Sequence, residues 1–409
     1  MTAPPPVGEG LWRDLARQAL ARLLRAYGGD RFDRCEDAVQ EALLDAHRQW
    51  PEQYPDDPLG WLTVTARRRY ADQARSDARR RDREVRTALL SPPVEPDVVQ
   101  SDDSLLVLRL CCHPDLPRSG QVALTLRAVA GLTTAQIATV YQVPEATIAQ
   151  RITRAKRRVS RLGGPLPAPG HAAERITPVL DVLYVMFTEA HHTTSGAPPR
   201  DADLAAEAIR LARLLLRSVP ESTEVAGLLA LMLLTEARHP ARVGPDGLLK
   251  PLDEQDRSLW DGELIGEGVA LVERAAPGAQ PGPYLIQACI AALHAEAPDT
   301  GSTDWPEILA LYRLLEHVTG RANPTITLNR VVAQAMVAGH DAALAELAAL
   351  EADHPDLPRL DAVRAHLLES AGRTGEAADA YRRAITATVN LAERNHLRHR
   401  LRQVLSSSA

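Results

Sequence analysis

Cationic side chains are concentrated in two short segments of this sequence. Nine arginines and four acidic residues lie between positions 67 and 86. Four more cations end the stretch GLTTAQIATVYQVPEATIAQRITRAKRRV (131–159), at Arg154, Lys156, Arg157 and Arg158. Arginine donates paired hydrogen bonds to phosphate, and such binding releases counterions from a nucleic-acid backbone. A solvated helix laced with ion pairs, to which Asp72 and Asp77 would contribute, explains the first segment equally well.

Groups suited to metal binding or catalysis are fewer. Cys111, Cys112 and His113 are adjacent and poorly spaced to chelate one zinc ion, so we expect buried structural cysteines and no metal. Further candidates lie in the C-terminal part, at His191-His192, Asp253/Glu254/Asp256 and His294/Glu296. Packing and helix capping explain each of them better. The sequence also lacks P-loop, GxSxG and HExxH motifs, so we predict no catalytic residues, no cofactor and no enzyme activity.

The second cationic segment has the pattern of a helix-turn-helix. Thr133 or Thr134 caps a first helix, the sequence Gln142-Val143-Pro144 breaks it, and a second helix follows. Ile148 and Ile152, four residues apart, form the buried stripe of that second helix. Polar and cationic residues take its other positions: Thr147, Gln150, Arg151 and Arg154. An ordinary corner of two helices is the alternative, but the terminal cations favour DNA binding.

Composition predicts an all-α protein. The 409 residues are enough for two or three domains, and 45% hydrophobic and 24% charged residues are ordinary for a globular chain. Aromatic residues make up only 4%, while Ala and Leu, which favour helices, dominate. Apolar runs are too short to span a membrane and the N-terminus does not resemble a signal peptide. We therefore expect a cytoplasmic protein without a membrane partner.

Charge is distributed unevenly along the chain. Residues 1–163 contain 25 Lys and Arg against 21 Asp and Glu, a net charge of +4. Residues 164–409 contain 22 against 32, a net charge of -10. The two parts are expected to have different partners, and only the first has the charge suited to DNA.

Two N-terminal segments together resemble the extracytoplasmic-function (ECF) sigma factors of bacterial RNA polymerase. The first contains DAVQEALLDAHRQW, a proline loop (51–58) and GWLTVTARRRYADQARSDARR. The second contains VALTLRAVAGLTTAQIATVYQVPEATIAQRITRAKRRV. They resemble sigma regions two and four in order and spacing, over residues 11–163. The resemblance implies core RNA polymerase, promoter double-stranded DNA and its opened single strand as partners.

The resemblance also implies roles for individual residues. The helix that docks on core polymerase corresponds to Asp37, Val39, Gln40 and Glu41. The minus-ten element would be bound by a base-capturing loop and an arginine helix, at Gln53, Tyr54, Asp56, Arg67, Arg68, Arg69 and Arg75. The minus-thirty-five element would be bound by Thr147, Gln150, Arg151 and Arg154, with the cations Arg157 and Arg158 behind them.

The C-terminal part is expected to be a helical repeat. In VRAHLLESAGRTGEAADAYRRAI, four residues fall at tetratricopeptide (TPR) offsets: Gly372, Ala377, Tyr381 and Ala384. Gly339 lies 33 residues before Gly372, in a degenerate earlier copy. The segments 181–196, 247–261 and 282–315 resemble the ECF subgroup that has a long TPR-like extension. That resemblance implies that the extension takes part in controlling activity.

We therefore predict three all-α domains. They are a sigma region-two domain (1–90), a linker (91–103), a region-four helix-turn-helix domain (104–163), a second linker (164–172) and a TPR-like regulatory domain (173–409). The predicted function is that of a sigma factor controlled by its own extension, with an unidentified protein or small molecule acting on that extension. The alternatives are a helix-turn-helix activator with a helical-repeat sensor domain and, in another class, a hydrolase or metal enzyme in the extension.

Overall fold

The protein is described by a computed structural model covering residues 9–81, 104–141, 143–161, 176–191, 202–244, 248–278, 280–320 and 323–407. Over these residues the chain forms eighteen α-helices and no strand, apart from one isolated antiparallel bridge between Val243 and Leu249. The all-α fold class is therefore confirmed. Both predicted linkers, 91–103 and 164–172, lie outside the described residues.

The chain divides into two compact units. The first contains Met1–His191 and Asp201–Leu214, and the second contains His192–Arg200 and Leu215–Ala409. The first unit thus includes the start of the segment that we predicted as the TPR-like domain. The domain boundaries in the sequence analysis remain predictions.

The first unit begins with a three-helix group. Its helices are α1 (Glu9–Tyr27), α2 (Phe32–Gln49) and α3 (Pro58–Arg81). Phe32, Ala42 and Ala46 of α2 are fully buried between the other two helices. Trp50, at the end of α2, stacks on Trp12 with 4.8 Å between ring centroids. This aromatic contact joins α1 to the end of α2, next to the proline loop.

Four shorter helices follow. They are α4 (Ser104–Cys111), α5 (Arg118–Ala128), α6 (Thr134–Tyr141) and α7 (Glu145–Arg161). Cys111 and Cys112 are buried, as predicted. Thr133 is the cap of α6: its hydroxyl accepts from the Gln136 N–H at 3.1 Å, and the Gln136 side chain accepts from the Thr133 N–H at 2.8 Å. This reciprocal pair is a capping box, and it satisfies backbone donors at the start of the helix.

The extension contributes two helices to the first unit. They are α8 (Ile176–His191) and α9 (Ala202–Ser218), the last turn of which enters the second unit. The apolar face of α8, including Val182 and Met186, is buried, and α8 packs against α5. On α9, Ala205 and Leu211 are fully buried. The first two helices after residue 173 are therefore structurally part of the same unit as α1–α7.

The second unit is a series of nine described helices, each of which packs against the next. They are α10 (Thr223–Ala237), α11 (Gly262–Ala275), α12 (Pro283–Glu296), α13 (Trp305–Val318), α14 (Pro324–Ala338), α15 (His340–Asp353), α16 (Leu360–Ser370), α17 (Thr374–Ala387) and α18 (Leu391–Ser407). Gly227 allows α10 to approach α12 closely, because a Cβ atom there would lie 2.5 Å from the backbone of Leu285.

The predicted repeat appears in α14–α17. Each of the two pairs turns at a glycine with positive φ, at Gly339 (φ 90°) and Gly372 (φ 74°). Ala377, Tyr381 and Ala384 lie in one buried cluster with residues of α16 and α18. The TPR-like helical pairing is thus confirmed. Among the described helices, none is both long and apolar enough to cross a membrane.

Candidate nucleic-acid interface

The helix-turn-helix is formed by α6 and α7. Ile148, Ile152 and Val159 are buried on one side of α7, as the sequence predicts. Four predicted DNA-binding residues are exposed on the remaining surface: Gln150, Arg154, Arg157 and Arg158. Thr147 and Arg151 are half-buried. The arrangement leaves a polar and cationic face of α7 that a DNA groove could accommodate.

The arginines of α3 differ in whether they form ion pairs with described residues. Arg68 is exposed, and Arg67 is half-buried with its Nε lacking a hydrogen-bond partner among the described residues. Arg69 pairs with Asp45 of α2 at 2.5 Å, and Arg75 pairs with Asp72 at 2.5 Å. Ion pairing therefore accounts for part of this arginine segment, and Arg67 and Arg68 remain without an ion pair to a described residue.

The loop between α2 and α3 places an aromatic ring beside exposed polar groups. Tyr54 is half-buried and meets Trp50 edge-on, with 5.3 Å between centroids, while Gln53 and Asp56 are exposed. Trp50 also meets Trp61 edge-on, at 5.6 Å. Tyr54 is thus held by a rigid aromatic cluster, and an aromatic ring in such a position can stack on an unpaired base.

The predicted polymerase-docking residues divide by exposure. Asp37, Gln40 and Glu41 are exposed on α2. Val39 has only 3% of its surface exposed and packs into the core of its own domain. Its side chain therefore serves packing in this structure and is not available at the surface.

The helices α2 and α7 are tied by a charge cluster that the sequence analysis did not identify. Lys156 donates to Glu36 and lies 3.5 Å from Asp33, and Arg127 lies 3.8 Å from Glu36. Glu36 is buried, with 7% of its surface exposed. The sequence carries one signal of this role: Glu36 is a carboxylate among apolar neighbours on the inner side of α2.

Two helices of the extension also contact this region by charged groups. Glu207 of α9 accepts a hydrogen bond from Arg17 of α1, whose side chain is 3% exposed. Asp181 of α8 lies 3.8 Å from Arg118 of α5. A cavity of about 210 Å³ lies beside Arg17, between α1, the α5–α6 turn and α9. Burial, and then the nearby Glu189 of α8, raise the pKa of Tyr141 at the end of α6.

Three of the enzyme-like candidates of the C-terminal part have capping or packing roles: Glu254, Asp256 and His294. Asp256 caps a single helical turn by accepting from the Ser258 N–H at 3.0 Å, and Glu254 pairs with Arg400 at 2.5 Å. The ring of His294 meets Trp305 edge-on at 5.3 Å. The described residues contain no group of three or more His, Cys, Asp or Glu able to hold a metal ion. His192 lies outside the described residues.

Comparisons with known proteins agree with the two N-terminal domains. Residues 14–80 match Sigma-70 region 2, residues 110–159 match Sigma-70 region 4, and residues 175–276 match a family of unknown function (DUF6596). The uncharacterized protein R00370 of Rhizobium meliloti (strain 1021) is 38% identical over 415 residues, covering 97% of each chain.

A solved structure has a weaker similarity. It is TTC0263, a thermophilic TPR protein of Thermus thermophilus, with 19% identity and a TM-score of 0.35 over 49% of this chain and 91% of that chain. That similarity is too low to bear on the fold. The family of the chain follows from the two sigma regions, the extension after them and the match to R00370 over 97% of each chain. The chain belongs to the family of R00370, and its own Sigma-70 region 2 and region 4 matches, with the C-terminal extension, fit the ECF type of sigma factor.

Proposed function

We propose that this protein binds core RNA polymerase, recognises promoters and opens them to initiate transcription, under the control of its own extension. The observation that carries the first part is the exposed cationic face of α7 in a helix-turn-helix that follows a region-two domain. Sigma-70 proteins are transcription initiation factors and not enzymes in the usual sense.

Promoter opening needs two kinds of surface. Unstacking a base costs a few kcal/mol per step, so the protein must hold the exposed base and the separated strand. Tyr54, which packs in the aromatic cluster, supplies a stacking surface. Arg67 and Arg68 supply cations on α3, the helix that follows the loop. The face of α7 needs only to read duplex DNA, through Gln150 and Arg154.

Core polymerase binding is assigned to the exposed residues of α2. The test is to substitute Asp37→Lys and Glu41→Lys together and to measure binding of the full chain to sigma-free core polymerase. The account predicts a loss of at least roughly tenfold in affinity, because two charges are reversed on one contact face. Matched reversal of Glu221, an exposed acid of the second unit, serves as the control. Equal affinity of both variants would remove the assignment.

Control by the extension is supported by the contacts of α8 and α9. Arg17 sits on α1 of the region-two domain and Arg118 on α5 of the region-four domain. Two helices of the extension therefore pair with both DNA-binding domains. Domains held in this way cannot separate to span two promoter elements unless these pairs break. Glu207→Gln removes one of the two carboxylates that pair with Arg17, the one from the extension, and leaves that of Asp14 on the same helix. This substitution is expected to change transcription by core polymerase.

The experiment compares Glu207→Gln with Glu221→Gln in transcription by reconstituted polymerase. A change confined to Glu207→Gln supports control through α9, and its sign reports whether the contact inhibits or activates. Identical transcript yields from both variants would contradict control through this contact, while leaving the sigma assignment intact.

A further inference from the structure

Two arginines in the second unit lack a counter-charge among the described residues. Arg238 is the C-terminal cap residue of α10, and Arg242 follows a single helical turn (His239–Ala241). Both side chains are half-buried, and neither makes a hydrogen bond or an ion pair with a described residue. A partly desolvated guanidinium without an acceptor is costly, because the lost hydration is not replaced.

A third arginine is brought to the same place by the backbone. The N–H of Asp261 donates to the carbonyl of Ala237 at 2.9 Å, which holds the start of α11 against the end of α10. The helical turn Arg257–Leu259 consequently packs beside the turn His239–Ala241. Arg257 donates to the carbonyl of His294 at 2.6 Å and also to that of Ala297, and it stacks over the Trp260 ring at 4.7 Å.

Two of these cations act on the third, Arg238. Burial, then Arg242 and then Arg257, lower the pKa of Arg238 to about 10. Burial and the nearby Arg359 lower the pKa of Arg242. Like charges thus lie close enough to Arg238 and Arg242 to disfavour the charged form of each.

Among the described residues, acceptors around these arginines are scarce, although Tyr312 also acts on Arg238. His294 is neutral, because burial, Arg238 and Arg257 lower its pKa to about 4. The carboxylate of Asp299 acts on Arg257 but already accepts from the N–H and the hydroxyl of Ser302, at 2.7 and 2.8 Å. The indole N–H of Trp260 is buried and has no acceptor among the described residues. The cluster therefore offers donors and positive charge in excess.

We propose that Arg238, Arg242 and Arg257 form a binding site for the phosphate group of a small molecule. A phosphate ester carries a charge of about -1.5 to -2 at neutral pH and several strong acceptor oxygens. Among the described residues, Asp299 is the carboxylate that acts on these arginines, so positive charge remains in excess for a phosphate to balance. Arginine is suited to this group because its planar fork can bind two oxygens at once.

The site goes beyond the proposed function, and its test does not depend on transcription. The full chain is unfolded thermally in inorganic phosphate, in glycerol phosphate and in acetate, each matched in ionic strength with chloride. The proposal predicts that both phosphates raise the melting temperature above the chloride value and that acetate does not. An equal shift in acetate, or no shift in either phosphate, would overturn it.

The substitution Arg238→Met separates a binding role from a structural one. If Arg238 serves to bind an anion and does not stabilise the fold, the variant melts at or above the wild-type temperature in chloride, since an uncompensated charge is removed. It also loses the phosphate-induced shift. Arg382→Met, which removes an exposed arginine of the same unit, should keep that shift. A variant that melts lower and still responds to phosphate would show that Arg238 is structural and overturn the assignment.

A second variant guards against misfolding. Arg242→Gln keeps hydrogen-bonding capacity and is expected to weaken phosphate binding by roughly tenfold, the equivalent of about 1.4 kcal/mol. Calorimetric titration of folded Arg242→Gln with phosphate measures this directly. Unchanged affinity would contradict the site.

Discussion

Lys156 of α7 is paired with Glu36 of α2, and only 17% and 10% of the two side chains are exposed. The helix proposed to read the minus-thirty-five element is thereby joined to the helix proposed to dock on the polymerase. Burial makes such a pair sensitive, because removing one partner leaves the other charge uncompensated. In the arrangement seen here, one cation of α7 serves the contact between the two domains.

Glu36→Gln should release α7. The substitution removes the nearer of the two carboxylates that face Lys156, leaving Asp33 at 3.5 Å, and does not change the DNA-facing surface. We expect a minus-thirty-five duplex to bind tighter by roughly tenfold, or about 1.4 kcal/mol, when measured by fluorescence anisotropy at low salt. Glu52→Gln removes an exposed acid of the proline loop and controls for the general gain in positive charge. Equal gains in the two variants would argue against a restraining pair.

Arg154 and Arg158 should differ in the kind of binding that they support. Arg154→Ala is expected to cost about 1–3 kcal/mol on the cognate promoter and to relax sequence preference, as expected for a base contact. Arg158→Ala should weaken all sequences alike and reduce the slope of log affinity against log salt by about 1. Salt titrations on matched and scrambled duplexes measure both effects. Interchangeable behaviour of the two variants would be inconsistent with these assignments.

Tyr54 should matter most when the protein must open the promoter itself. Tyr54→Ala removes the stacking ring, whose contribution to binding an unpaired base is about 1–3 kcal/mol. We expect transcription from a duplex template to fall strongly, and transcription from a template already mismatched around the start site to fall much less. Tyr54→Phe keeps the ring and should behave as wild type. A Tyr54→Ala defect of the same size on both templates would point to a folding effect.

Thr133 should stabilise the helix-turn-helix through its capping box. Thr133→Ala removes the acceptor for the Gln136 N–H and is expected to lower the free energy of unfolding by about 1 kcal/mol. Thr133→Ser keeps the hydroxyl and should retain most of the stability. Denaturant unfolding monitored by circular dichroism gives both values. A Ser variant as unstable as the Ala variant would show that the methyl group, and not the cap, is responsible.

Helices and their buried faces were largely predictable, because these features are encoded locally. The spacing of Ile148 and Ile152 defines the inner side of α7, and both residues are buried. The 33-residue spacing of Gly339 and Gly372 marks the repeated turns, since glycine adopts positive φ at little cost. The sequence predicts that either Thr133 or Thr134 caps α6, and the hydrogen bond from the Gln136 N–H identifies Thr133 as the cap.

Contacts between distant segments were not predictable. Lys156 and Glu36 are 120 residues apart, and Arg17 and Glu207 are 190 apart. Local periodicity describes which side of a helix is apolar and says nothing about which distant charge will face it. From the sequence, Lys156 is one more DNA-facing cation, and α8 and α9 belong to the acidic extension. Neither pattern indicates that Lys156 pairs with α2 or that α8 and α9 pair with α5 and α1. The arginine cluster at Arg238 was missed for the same reason, because its members come together only through turns between helices.

Transcription by purified full-length protein with sigma-free core polymerase, on a pool of promoter fragments, tests the central claim most directly. The account predicts transcripts that begin at defined sites and share an upstream sequence, and it predicts that these transcripts disappear with Asp37→Lys/Glu41→Lys. If the full-length protein and the Glu36→Gln and Glu207→Gln variants all bind DNA yet give no transcripts, the protein is not a sigma factor and the activator hypothesis replaces it.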